Sequence, residues 1–119
     1  MDDRIKKALE FSNYRVTLFN LKENLKVKVD SMLTHAVNGG FFKITPELIT
    51  FVKDLADSGM TPVVLIDSNG NPVSIDDPRS FHGDLLDKYF QATNYYHVEY
   101  MKIRKARSVR EQFEEIIKE

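Results

Sequence analysis

Three oxygen-bearing side chains stand at alternate positions in the stretch VVLIDSNGNPVSI, and they form the strongest candidate metal site in this sequence. They are Asp67, Asn69 and Asn71. Alternate oxygens open the calcium loops of helix-loop-helix sensors, which also need glycine at the sixth position and a bidentate glutamate at the twelfth. Counted from Asp67, those positions hold Pro72 and Pro78. The spacing therefore argues against a calcium loop.

The same stretch has the pattern of a β-hairpin. Strand-forming residues flank Asn69-Gly70, and Asn-Gly is a strong signal for a tight turn because both residues tolerate positive φ. We predict a hairpin over residues 62–75, in which Asp67 ends a strand and binds no ion.

The other residues that could bind a metal or catalyse a reaction are scattered along the chain. His35, His82 and His97 have no partner at the spacing of a known metal motif. The chain has no cysteine, so thiolate ligands and thiol nucleophiles are excluded. The loops Asn38-Gly39-Gly40 and Ser68-Asn69-Gly70 are not followed by the Lys-Ser/Thr pair or the spaced glycines of a phosphate-binding loop. We therefore expect no catalytic residue, no metal and no cofactor, and a protein that is not an enzyme.

One basic segment offers a different kind of site. Residues 102–110 bring several cations together directly after an aromatic run, a combination that single-stranded nucleic-acid binders use for phosphate attraction and base stacking. Cations also suit a helix C-terminus, and the acidic residues that follow restore neutrality. We favour a solvated helix end or a protein contact, with nucleic-acid binding as the alternative. The cations are Lys102, Arg104, Lys105, Arg107 and Arg110.

Composition is typical of one folded domain, residues 1–119, with no general attraction to nucleic acid. The chain is 42% hydrophobic and 29% charged, with a formal net charge of -1. No window approaches the roughly 20 apolar residues of a membrane span, and no apolar run of signal-peptide length begins the sequence. Without cysteine the chain needs no oxidising compartment. We expect a cytoplasmic protein without a membrane partner.

A long first helix is predicted over about residues 2–37, with two helices and a break near Ser12-Asn13 as the alternative. No proline or glycine interrupts it, and Asn38-Gly39-Gly40 supplies a flexible stop. Apolar residues recur along it at helical intervals, which predicts one face in contact with the rest of the protein. These residues are Ile5, Leu9, Leu18, Leu21, Leu25, Val29, Met32 and Ala36.

The remaining elements follow from turn and capping signals. A strand is predicted over 41–45 and a short helix over 46–57, with Thr45 as its N-cap. A long helix is predicted over 78–106, and a separate terminal helix over 108–118 starts at a capping box. The expected fold is α+β and mostly helical. Long antiparallel N- and C-terminal helices carry a small three-stranded antiparallel sheet and the short middle helix at one end.

The last helices carry the predicted contact surface. An apolar and aromatic stripe and an apolar tail are more than two amphipathic helices can enclose, so we expect a homodimer, a larger homo-oligomer or a bound protein partner to complete the burial. The residues are Tyr89, Tyr96, Tyr100, Val109, Phe113, Ile116 and Ile117.

Four stretches resemble small proteins of T-even-like myoviruses, particularly those of marine cyanobacteria. They are ALEFSNY, LTHAVNGGFFKITPELITFV, DKYFQAT and KARSV, and together they span nearly the whole chain. The resemblance implies a phage protein of the host cytoplasm or the virion, such as a head-assembly chaperone, a scaffold-associated factor or a minor structural protein. It carries over no catalytic residue. The function we predict is a non-enzymatic interaction or assembly factor, with a nucleic-acid-binding regulator using 102–110 as the alternative.

Overall fold

The computed structural model describes residues 2–118, without the side chains of residues 109 and 112–118. In this range the chain is mostly helical, with three helices and two small antiparallel sheets of two strands each. The elements in chain order are α1 (Asp3–Met32), β1 (Thr34–Val37), β2 (Gly40–Lys43), α2 (Pro46–Asp57), β3 (Val63–Ile66), β4 (Pro72–Ile75) and α3 (Pro78–Lys118).

The chain divides into two compact units. The helix unit comprises Met1–Lys28 and Tyr95–Glu119, and the hairpin unit comprises Val29–Asn94. Both α1 and α3 contribute residues to each unit. None of the helices in the described part of the chain combines the length and the apolar character needed to cross a bilayer.

The first hairpin corrects the prediction of a helix to residue 37. α1 ends at Met32, and β1 pairs with β2 through the register Val37↔Gly40. The two residues between them, Asn38 and Gly39, have φ values of 48° and 79°. Positive φ at both central residues is the requirement of the tight hairpin turn that Asn-Gly favours. Asn38-Gly39 therefore forms a hairpin turn and not the predicted helix stop.

The second hairpin lies within the predicted residues 62–75, but the predicted three-stranded sheet is wrong. β3 pairs with β4 alone, with Val63 opposite Ile75. The loop after β3 takes the place of a third strand beside β2. Ser68 donates its backbone N–H to the Phe41 carbonyl at 2.8 Å, and the Ser68 hydroxyl accepts the Lys43 N–H at 3.0 Å. Through these contacts the loop satisfies the Phe41 carbonyl and the Lys43 N–H of β2 without a strand ladder.

The hairpin unit has a continuous apolar core beneath these strands. Residues alternate between buried and exposed along β3 and β4, as expected when one face of a sheet packs on a core. α2 is capped by Thr45, whose hydroxyl accepts the Leu48 N–H at 3.1 Å, and it buries Val52 completely. The buried residues of the core are Phe42, Ile44, Val52, Val63, Leu65, Val73, Ile75, Phe81 and Leu85.

α3 is one helix from Pro78 to Lys118, which corrects the predicted break between 106 and 108. Asp77 caps its start, since its carboxylate accepts the Ser80 N–H at 3.1 Å. Across the expected break, the Arg107 Nε donates to the Glu111 carboxylate at 2.9 Å. Ion pairs four residues apart support a continuous helix. Glu111 therefore serves Arg107 in place of the predicted capping box.

Candidate functional site

The carboxylate of Asp67, the first candidate ligand, accepts hydrogen bonds from backbone groups of its own chain. Its side chain is buried, and its two oxygens accept backbone N–H groups from Asn71 at 2.8 Å, Phe41 at 3.0 Å and Asn69 at 3.0 Å. The amides of Asn71 and Phe41, followed by that of Asn69, hold the pKa of this carboxyl below its usual value because they stabilise the charged form. The alternate-oxygen motif thus builds a loop, in which Asn69 and Asn71 act through their backbone.

The histidines do not form a site with one another. His35 lies on β1 with its ring 5.7 Å from that of Phe81, and its Nδ1 is buried without a hydrogen-bond partner. Burial, and then the positive charge of Lys88, lower the pKa of His35, while Asp84 opposes them. His82 is half-buried and His97 is exposed. Among the described residues, no group of three potential ligands could hold a metal ion.

In the helix unit, α1 exposes several large apolar side chains to solvent. Five large side chains are at least half exposed, whereas Leu25 is the one buried hydrophobic residue among the described side chains of this unit. At about 100° per residue, Val16 and Leu18 lie on opposite sides of the helix. Leu18 is half-buried together with Tyr14, while Val16 is exposed. The exposed residues are Ile5 (54%), Leu9 (50%), Val16 (56%), Phe19 (63%) and Val27 (69%).

A groove runs between the two helical segments of this unit. The guanidinium of Arg110 lies 5.5 Å from the centre of the Tyr14 ring, a cation–π contact that joins α3 to α1. Beside this contact the groove encloses about 360 Å³. Its walls are aromatic and basic with one acidic residue, a mixture suited to protein side chains. They are formed by Phe11, Tyr14, Arg15, Leu18, Phe19, Lys22, Arg107 and Glu111.

The structure separates the tyrosines of the predicted contact stripe. Tyr96 and Tyr100 belong to the helix unit and have ring centres 6.1 Å apart. Tyr89 belongs to the hairpin unit, where it packs against the core and meets the edge of Phe90 at 6.2 Å. Tyr89 therefore serves the core of its own unit. The side chains of the predicted apolar tail, Val109, Phe113, Ile116 and Ile117, lie outside the described residues.

Part of the basic segment is engaged with other side chains. Lys102 pairs with Glu99 at 3.0 Å, and Arg107 pairs with Glu111, whose hydrogen bond and charge raise the pKa of the guanidinium. Arg110 covers Tyr14. Arg104 and Lys105 are exposed. The five cations thus do not form a single uninterrupted basic surface.

Sequence reasoning missed the division of α1 into two apolar faces. The predicted stripe joins Ile5 and Leu9 to Leu18 and Leu25, yet the helical repeat puts Ile5 and Leu9 on the opposite side of the helix from the other two. The signal that was available is the position of Val16 and other apolar residues outside that stripe. A helix with apolar residues on opposite faces shows little net amphipathicity, which conceals both faces.

Comparison of the chain with protein-family models, with curated proteins and with solved structures finds no match.

Proposed function

We propose that this protein is a non-enzymatic interaction or assembly factor that associates through its helix unit. In this proposal α1 and α3 run antiparallel beside each other, and their outward apolar faces bind another protein surface. The observation that supports it best is the exposure of five large apolar residues on α1. All five belong to the helix unit, in which Leu25 is the one buried hydrophobic residue among the described side chains. Exposed apolar surface of this extent is typical of protein contact sites.

The energetics favour association of this unit. Burying a Val, Leu, Ile or Phe side chain contributes about 1.5–3 kcal/mol, and several such side chains are exposed along one helix. The hairpin unit, in contrast, buries nine core residues of its own. The helix unit is therefore the part of the protein that gains most from a partner.

The resemblance to T-even-like myovirus proteins extends the proposal to virion assembly. A small factor with exposed helical surface suits an assembly chaperone, a scaffold-associated protein or a minor structural protein, each of which contacts other proteins. The proposal places it in the host cytoplasm or in association with the virion.

Sedimentation velocity over a dilution series tests the proposal. We expect a dimer or larger species at micromolar concentration, and its persistence when salt is raised, because apolar contacts are not screened as surface ion pairs are. A single monomeric boundary throughout the series would contradict self-association through the helix unit.

A nucleic-acid-binding regulator is the second candidate, and the exposure of Arg104 and Lys105 is the observation that favours it. Titration with short single- and double-stranded oligonucleotides at several salt concentrations decides the matter. Binding through phosphates must weaken as salt rises, and it must fall further when both residues are replaced by glutamine. Absence of binding at low salt removes this candidate.

A further inference from the structure

The exposed face of α1 has the spacing of a coiled-coil seam. Its residues follow one another at intervals of four, three, four, three and four, and they extend over about 27 Å of helix. Apolar residues hold four of the six positions, and a small residue and a glutamate hold the other two. We call this face the outer stripe, and it consists of Ile5, Leu9, Ser12, Val16, Phe19 and Glu23.

A shallow depression of about 420 Å³ lies in the middle of the outer stripe. Ser12 lies in its lining, and Phe11, Arg15, Val16 and Phe19 surround it. The small serine leaves space between larger neighbours, as in the holes that accept side chains of a facing helix. The surface is therefore shaped to receive an apolar side chain.

We propose that the outer stripe pairs with the outer stripe of a second copy of this chain, with the two α1 helices antiparallel. This inference rests on the proposed function, and it names the partner and the contact residues. In the register that pairs the six positions of the two stripes with one another, Leu9 faces Phe19 of the second copy, Ser12 faces Val16 and Ile5 faces Glu23. Each depression then receives a valine.

Charge complementarity supports the antiparallel orientation. In this register Asp2 meets Lys26 of the second copy, and Arg4 lies beside Glu23 of the second copy. Within one chain Glu23 and Lys26 pair with each other at 3.4 Å, and because they are 47% and 59% exposed, both side chains can exchange this surface ion pair for contacts across the seam. A parallel seam would instead bring Glu23 of one copy against Glu23 of the other, which costs free energy.

The remaining charge nearest the two-fold axis is that of Arg15. Arg15 lies on one flank near the two-fold axis, but its guanidinium is directed toward the Phe11 ring of its own helix, 5.8 Å from the ring centre. The whole chain has a formal net charge of -1, so two copies experience little long-range repulsion. A second copy therefore covers the apolar residues of the stripe and brings Arg4 beside Glu23, its one charged residue.

Disulfide trapping tests the orientation and the register, because the natural chain contains no cysteine. Leu9→Cys and Phe19→Cys are prepared as separate full-length variants, one of them with a tag that changes its mobility. Both residues are at least half exposed, so folding should be retained and is checked by circular dichroism. Two cysteines link readily only when their Cα atoms approach to about 7 Å or less.

We expect the mixture of Leu9→Cys and Phe19→Cys to form the mixed disulfide at least tenfold faster than either variant links to itself. The matched control is a mixture of Leu9→Cys with Thr17→Cys, whose exposed side chain lies about 100° away from Val16 around the same helix. Faster linking of each variant to itself would indicate a parallel seam and overturn the inference.

The inference and the proposed function can fail separately. If light scattering shows an oligomer while the mixed disulfide forms no faster than in the control, association uses another surface and the seam alone is overturned. The exposed Val98 and Met101 on α3 offer such a surface, and rapid trapping of Val98→Cys in its place would identify it. A monomer would overturn both.

Discussion

The carboxylate of Asp67 accepts a hydrogen bond of 3.0 Å from the backbone N–H of Phe41, and this contact joins the loop of the second hairpin to the first. The next residue, Ser68, returns its own N–H to the Phe41 carbonyl. Two side chains, those of Asp67 and Ser68, and one backbone group thus take the place that a third strand would occupy. A residue with the appearance of an ion ligand is a structural connection between hairpins.

Replacing Asp67 should destabilise the hairpin unit. Asp67→Asn keeps the size of the side chain but loses the charge that three backbone N–H groups stabilise, and Asp67→Ala leaves those groups without an acceptor. We expect the midpoint of thermal unfolding to fall by several degrees for Asn and by more for Ala. The exposed Asp76, replaced by Asn, is the control and should unfold as the natural protein does. Unchanged stability of Asp67→Ala would refute this role.

The lowered pKa of His35 predicts a pH dependence with a defined sign. In the unfolded chain His35 takes up a proton near its ordinary pKa of 6.5, whereas burial and Lys88 delay protonation in the folded protein. The unfolded state therefore binds more protons below about pH 6.5, and the free energy of unfolding decreases as pH falls from there. Urea unfolding between pH 7.5 and about 5 measures this loss.

His35→Gln should reduce the slope of that pH dependence, because a neutral amide cannot take up the proton. His97→Gln is the matched control, since His97 is exposed on α3, and it should leave the slope as it is. An equal slope in the natural protein and His35→Gln would show that His35 does not cause the effect. Asp67 acts in a separate range, because its lowered pKa makes stability fall only as pH drops below about 3.8.

Two glycines should respond in opposite directions to replacement by alanine. A Cβ at Gly40 would overlap the side chain of Val73, which belongs to the buried core, whereas a Cβ at Gly83 meets no atom within 4 Å. Gly40→Ala should destabilise the protein by about 1–3 kcal/mol through overpacking. Gly83→Ala, inside α3, should stabilise it by about 0.5–1 kcal/mol through helix propensity. Chemical denaturation measures both changes in the free energy of unfolding. Unchanged stability of Gly40→Ala would show that the two hairpins pack less closely than the structure indicates.

Phe19→Asp should weaken self-association without unfolding the chain. The ring is 63% exposed, so a single chain loses little packing, but a symmetric dimer loses two apolar contacts of about 1.5–3 kcal/mol each. We expect the dissociation constant to rise at least about 100-fold. Thr17→Asp makes the same addition of charge at an exposed position of the same helix and should leave the constant nearly unchanged. Equal effects of the two variants would locate the contact elsewhere.

Local signals in the sequence predicted many of these elements. Thr45 and Asp77 cap their helices as expected, because a capping side chain acts on amides a few residues away. The two strands on either side of Asn69-Gly70 also follow from nearby residues. Such features depend on short-range contacts, which a single sequence displays directly.

The wrong predictions rest on sequence patterns that are compatible with more than one structure. The apolar repeat of α1 continues in register to Ala36, so periodicity alone could not place the helix end at Met32, although Asn38-Gly39 carried the turn signal. The link between Asp67 and Phe41 joins residues 26 positions apart, and no local pattern shows it. The outer stripe was hidden for a related reason, since apolar residues on both sides of a helix read as one broad face.

Multi-angle light scattering of the full chain at micromolar concentration shows whether the helix unit self-associates. We expect a mass of at least twice the 13.8 kDa of one chain, because the apolar face of α1 is buried only when the helix unit meets another copy. A mass of 13.8 kDa across the micromolar range would contradict this self-association.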